Sequence, residues 1–194
     1  MRFPVPTQFI AALASLFLSH SASADPVRWV KWADAGQGQI TAADGTSITV
    51  QFSTANPVEL IQDSPSWTPA SSFADGKVVD NGPIASNGMI KLVGGTYEVN
   101  RITFSKPVVD PVISIWSLGN HDFAASFVFP SASPWLVAGG PNAEYEGASL
   151  ILDNDEVNGS EGSGTLVFRG TFTSIEWLTP VFEDHYGFTI GIRE

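Results

Sequence analysis

Apolar and polar residues alternate with a period of two along much of this chain, and no long stretch shows the 3.6-residue recurrence of an amphipathic helix. In Asp122–Phe129, Phe123, Ala125, Phe127 and Phe129 share one face while Asp122, Ala124, Ser126 and Val128 share the other. The last segment repeats the pattern, with Tyr186, Phe188, Ile190 and Ile192 opposite Gly187, Thr189, Gly191 and Arg193. Half-buried antiparallel strands produce this alternation, because successive side chains leave opposite faces of a sheet. Further strands are expected at Val27–Trp32, Ser47–Phe52, Met89–Val93, Thr96–Phe104, Pro111–Leu118, Ser149–Leu152 and Thr165–Phe172.

Particular segments add detail. Pro111–Leu118 (PVISIWSL) is β-branched and barely alternates, which places it centrally with both faces covered. Between Thr165 and Trp177 the apolar set changes phase, from Leu166, Phe168 and Phe172 to Ile175 and Trp177, so a bulge or bend is expected near Thr173-Ser174. Gly94-Gly95 suits a tight hairpin between its flanking strands. Thr54–Gly88 and Pro130–Gly147, rich in proline and glycine, read as long loops, which are often functional. Many short strands without helices predict an all-β fold: a two-sheet antiparallel β-sandwich, jelly-roll-like, with a barrel as its rival.

The chain opens differently. Met1–Ala24 carries Arg2, an apolar run Phe9–Leu18 and the small-residue end Ala22-Ser23-Ala24, the order of a secretory signal peptide, with an apolar run too short to span a bilayer. Residues 25–194 are then expected to form one domain, free and secreted or periplasmic, with no membrane span. Loss of Arg2 takes the net charge from −11 to −12, and the remaining basic residues are scattered, so nucleic acid is not an expected partner. Absence of cysteine excludes disulfides, a thiol nucleophile and a Cys-ligated metal.

Candidate chemistry lies mainly in the aromatic and acidic residues. Of the six tryptophans, Trp116 and Trp177 fall on apolar strand faces and read as core, whereas Trp67 and Trp135 sit in the loops, where an exposed ring can stack on the apolar face of a sugar. Asp153, Asp155 and Glu156 offer hard oxygen ligands to a structural Ca²⁺, although they depart from the EF-hand pattern and a solvated hairpin tip is the favoured reading. Gly-x-Ser-x-Gly is absent, and the glycines around Thr165 lack the lysine of a phosphate loop. His121 and His185 lie beside carboxylates in turn-like contexts, where an exposed histidine is the default. A glycosidase needs two carboxyl groups across a cleft, which Glu176 and either Glu183 or Asp184 could supply, Glu176 with Glu183 being one such pair.

Three stretches carry a resemblance: Ile102–Gly119 (ITFSKPVVDPVISIWSLG), Gly159–Phe172 (GSEGSGTLVFRGTF) and Gly187–Gly191 (GFTIG). They resemble exported bacterial proteins of unassigned function that often carry a C-terminal PEP-CTERM sorting tail. The likeness implies a bacterial source and an exported all-β domain, and it supplies no catalytic residues. This chain stops after Ile192-Arg193-Glu194, where the sorting segment would follow, so anchoring by that route is not expected. The resulting expectation is a secreted non-catalytic binding domain for a glycan or a cell-envelope or extracellular-matrix component, acting through Trp67 or Trp135. The alternatives are an extracellular glycan-active hydrolase and a structural matrix or adhesion protein.

Overall fold

The computed structural model describes residues 26–63 and 65–194, so the leader read in Met1–Ala24 lies outside the described residues. In chain order the strands are β1 (Val27–Trp29), β2 (Lys31–Trp32), β3 (Gln37–Thr41), β4 (Ser47–Ser53), β5 (Val58–Ile61), β6 (Met89–Leu92), β7 (Thr96–Val109), β8 (Pro111–Leu118), β9 (Ala125–Val128), β10 (Pro134–Gly140), β11 (Ile151–Asp153), β12 (Glu156–Gly159), β13 (Gly162–Phe168), β14 (Thr171–Thr179) and β15 (Tyr186–Arg193). They form two antiparallel sheets packed face to face. The seven-stranded sheet runs β10-β13-β8-β15-β6-β5, with β1 paired to the far half of β15, and the eight-stranded sheet runs β11-β12-β9-β14-β7-β4-β3-β2. The expected two-sheet sandwich is therefore present. No helix among the described residues is long and apolar enough to cross a membrane.

The core between the sheets is aromatic. Trp177 stacks on Phe52 at 5.7 Å and on Phe127 at 5.6 Å, and meets Phe188 edge-on at 5.1 Å. Such pairs each contribute about 0.5–1.5 kcal/mol beyond the area they bury. Ile113, Ile115, Leu166, Ile190 and Ile102 complete this layer.

The seven-stranded sheet is also covered on its outer face, which explains why Pro111–Leu118 hardly alternates: every residue of β8 is buried. The cover is the connection from β5 to β6, which carries three short 3-10 turns at Pro65–Trp67, Ala70–Ser72 and Ala85–Asn87. Beneath it lie two small clusters, one of Val27, Trp29, Val79, Val112 and Val167, the other of Trp67, Phe73, Met89 and Trp116. The glycines of β15 belong to this packing: a Cβ on Gly187 would stand 2.6 Å from Met89 Sδ, and one on Gly191 would stand 2.5 Å from Val27 Cγ1. The cover is also hydrogen-bonded. Asn81 Oδ1 accepts from Val27 N–H at 2.7 Å while its Nδ2 donates to Val27 C=O at 3.0 Å, and Thr165 Oγ1 donates to Phe73 C=O at 2.8 Å.

Several expectations need correction. Gly94-Gly95 does not close a hairpin, because β6 and β7 belong to different sheets. It is a crossing between sheets, held by Gly94 N–H to Glu183 C=O and Gly95 N–H to Thr179 C=O, with Gly95 at φ 98°. Asp122–Ala124 is not strand: the Asn120 side chain accepts from the Asp122 and Phe123 N–H groups and bends the chain, so β9 begins at Ala125. The two long loops hold strands of their own, β5 in the first and β10 in the second. The phase change in the later segment is where expected, with a register shift between Phe172 and Ser174 in β14.

Candidate functional site

The eight-stranded sheet presents an uncovered outer face over β3, β4, β7 and β14. Strand β4 alternates cleanly, with Ile48, Val50 and Phe52 in the core and Ser47, Thr49, Gln51 and Ser53 outward. Strand β3 turns Gln37, Gln39 and Thr41 the same way, and Arg101, Thr103 and Ser105 of β7 lie opposite the core residues Ile102 and Phe104. Registers align these side chains in rows across the strands. Gln37 faces Gln51, Gln51 faces Thr103, and Thr103 faces Ser174. A parallel row sets Ser53 opposite Arg101 and Arg101 opposite Glu176. Neighbouring rungs stand ~4.8 Å apart, the interstrand spacing.

Two shallow grooves cross this face. One of about 360 Å³ runs over β2, β3 and β4 and is lined by Lys31, Gln37, Gln39, Thr41 and Thr49. The other, of about 300 Å³, runs over β4 and β7 and is lined by Thr49, Gln51, Thr103 and Ser105. Thr49 belongs to both. Its backbone N–H donates to Ser105 Oγ at 3.0 Å, and the Gln39 amide donates to Ser47 Oγ, so part of the array is already oriented.

Charge sets this face apart. Acidic residues outnumber basic ones 20 to 9 in the chain, yet the outward positions of β3 and β4 carry amides and hydroxyls and no carboxylate. The one carboxylate in the rows just described, Glu176, is bound to Arg101 at 2.6 Å. Each Gln, Ser and Thr both donates and accepts hydrogen bonds, so the array complements a ligand rich in hydroxyl groups.

The residues singled out in the sequence are dispersed. Trp67 is 4 % exposed, with its ring edge-on to Phe73 at 5.1 Å, and leaves no face for a sugar. Trp135 is 62 % exposed on β10, an edge of the seven-stranded sheet. The other four tryptophans, Trp116 and Trp177 included, are buried. Glu176 and Glu183 are not assembled as a pair: Glu176 is engaged by Arg101 on the open face, while Glu183 is buried in the link between β14 and β15. Asp153, Asp155 and Glu156 lie at the β11–β12 hairpin, where Asp153 pairs with Glu156 across the strands and Asn154 takes φ 57°. Among the described residues no group of three His, Asp or Glu side chains converges to hold a metal, and the 590 Å³ depression beside this hairpin contains Asp155 alone of the three.

Glu183 belongs to a different cluster. Its Oε1 accepts from the His185 N–H at 2.7 Å, its Oε2 has no partner, and burial, with help from the charges of Glu161 and Asp184, pushes its carboxyl above the usual carboxylate range. Tyr145 and His185 hydrogen-bond at 2.9 Å between Oη and Nε2, and both rings lean on Trp116. Ser117 donates its hydroxyl to Glu161, and both residues hold left-handed backbone, at φ 55° and 53°.

Strand β3 was not among the strands expected from the sequence. The available signal was the alternation of Gln37–Thr41 against Ser47–Ser53 around Asp44-Gly45. No protein-family model matches the chain, and neither does any curated protein or solved structure.

Proposed function

We propose that this chain is an exported, non-catalytic binding domain whose ligand is a carbohydrate of the cell envelope or extracellular matrix, held on the outer face of the eight-stranded sheet. The observation that carries the reading is the amide-and-hydroxyl array, crossed by two grooves that meet at Thr49 and are lined by no carboxylate, in a chain that is otherwise strongly acidic. An ordinary solvated face of such a protein shares its negative charge. Here the side chains that meet solvent can instead exchange their water for sugar hydroxyls one for one, without burying a charge. Export rests on the leader pattern of Met1–Ala24.

Trp135 supports a second contact surface, since a largely exposed indole on an edge strand can stack on a pyranose ring. Retention of the full chain in gels loaded with neutral polysaccharides tests both. Thr49→Glu, which sets a carboxylate where the two grooves join, is expected to abolish retention while Trp135→Ala leaves it intact. The reverse pattern moves the site to the β10 edge. Retention unchanged in both variants rejects both surfaces.

A further inference from the structure

The grooves and the registers say more about the ligand than its polarity. Resting on the carbohydrate reading above, we infer that the open face takes an extended, uncharged, β-linked polysaccharide lying across the strands, from β2 over β3 and β4 to β7. The two grooves follow one another in that direction and share Thr49. Three interstrand steps separate β2 from β7, a span of ~14 Å at the usual spacing. The rise of one sugar in an extended β-linked chain is close to one such step, so consecutive units meet equivalent rungs. Gln39 and Thr49 face each other in one row, and Gln37, Gln51 and Thr103 follow in the next.

Two further features narrow the class. Among the described residues Lys31 is the one charged side chain lining either groove, and it stands at the β2 end, so a polyanion would meet a single cation there. Successive strands of a sheet rotate by roughly 20–25°, so a rigid crystalline surface cannot touch all four strands together, whereas a single soluble chain can follow the twist. The ligand is therefore a solvated single chain, and recognition is distributed over several sugars.

Calorimetric titration of the full chain, freed of its leader, with cello- and laminari-oligosaccharides from the disaccharide to the hexasaccharide tests this, with soluble β-glucan, crystalline cellulose and alginate as polymers. Affinity is expected to rise by about tenfold or more from disaccharide to tetrasaccharide and then level off. Soluble β-glucan is expected to bind in preference to crystalline cellulose, with little effect of salt. Thr49→Glu and Gln51→Glu, both at solvent-facing positions, are each expected to weaken hexasaccharide binding by about tenfold or more with the melting temperature unchanged. Equal affinity for every length, preference for the crystalline surface, or binding of alginate alone with loss in salt would overturn the polysaccharide inference and leave the carbohydrate reading standing. Absence of binding to all of these probes overturns the two together, and binding that both glutamate variants leave untouched overturns the inference and moves the carbohydrate site off the open face.

Discussion

The two sheets of this sandwich treat their outer faces in opposite ways. The seven-stranded sheet buries its outer face under the connection between β5 and β6, whose Trp67 packs with Met89 and Trp116 while Trp29 lies beneath it. The eight-stranded sheet leaves Gln37, Gln39, Thr49, Gln51 and Thr103 open to solvent. Strand composition follows the difference. Strands β8, β13 and β15 are buried throughout or nearly so, whereas β3 and β4 alternate strictly. A covered face is committed to stability, and an open one is free to be chosen for what it touches.

Substitutions that act on one face alone sharpen the contrast, and the largest effects belong to the covered side. Trp116→Ala or Trp29→Ala is expected to cost about 3–5 kcal/mol, read by urea unfolding, because each empties a packed aromatic site. Asn81→Ala is expected to cost about 1–3 kcal/mol, since it removes the paired hydrogen bonds from the cover to Val27 and leaves backbone groups there unsatisfied. On the open side, Gln37→Ala and Gln51→Ala are expected to stay within about 0.5 kcal/mol of the parent. A loss as large as that of the tryptophan variants would show that the open face is structural after all.

Acidity acts on the covered side as well. Asp75 lies in the cover, where partial burial raises its pKa but is outweighed by the N–H groups of Val79, Val78 and Lys77, leaving the carboxyl below its usual range. A carboxylate held low contributes stability above the unfolded pKa and loses it as pH falls. Glu183, pushed up by burial, has the opposite sign: its contribution is complete below the unfolded pKa and is lost as pH rises through the raised value. Glu183→Gln is therefore expected to raise the melting temperature at neutral pH and to flatten its decline as pH rises above the ordinary carboxylate range. Asp75→Asn is expected to be destabilising at neutral pH, with the difference vanishing on acidification. Thermal melts across pH check both, and a Glu183→Gln variant less stable than the parent at neutral pH would contradict the assignment.

The fold was legible where a strand declares both its neighbours. PVISIWSL announced a doubly covered strand, and the phase change before Ile175 announced a bulge, because each pattern follows from burial alone. Sheet membership was not legible. Gly94-Gly95 has the composition of a hairpin turn, and only the pairing of β6 with β5 and of β7 with β4 reveals a crossing between layers. The site was harder still. Trp67 and Trp135 look alike in sequence, and their exposures differ because only Trp67 lies within the cover. The open face carries no unusual residue, only a run of amides and hydroxyls without an unpaired carboxylate, which becomes visible once strands distant in sequence lie side by side.

Strand β15 also decides when this sheet can form. It pairs with β8 along one edge and with β6 and β1 along the other, bringing Val27 opposite Arg193. The strand that unites the seven-stranded sheet thus comes after all the others in the chain. Until it is in place, β8 lacks a partner on one edge and β1 has none, and the loops that must close span about half the domain for β8 and β6 and nearly all of it for β1. Such distant pairings make folding slow and late. A chain truncated before Tyr186 is expected to remain without the seven-stranded sheet, so assembly waits on the arrival of its final strand.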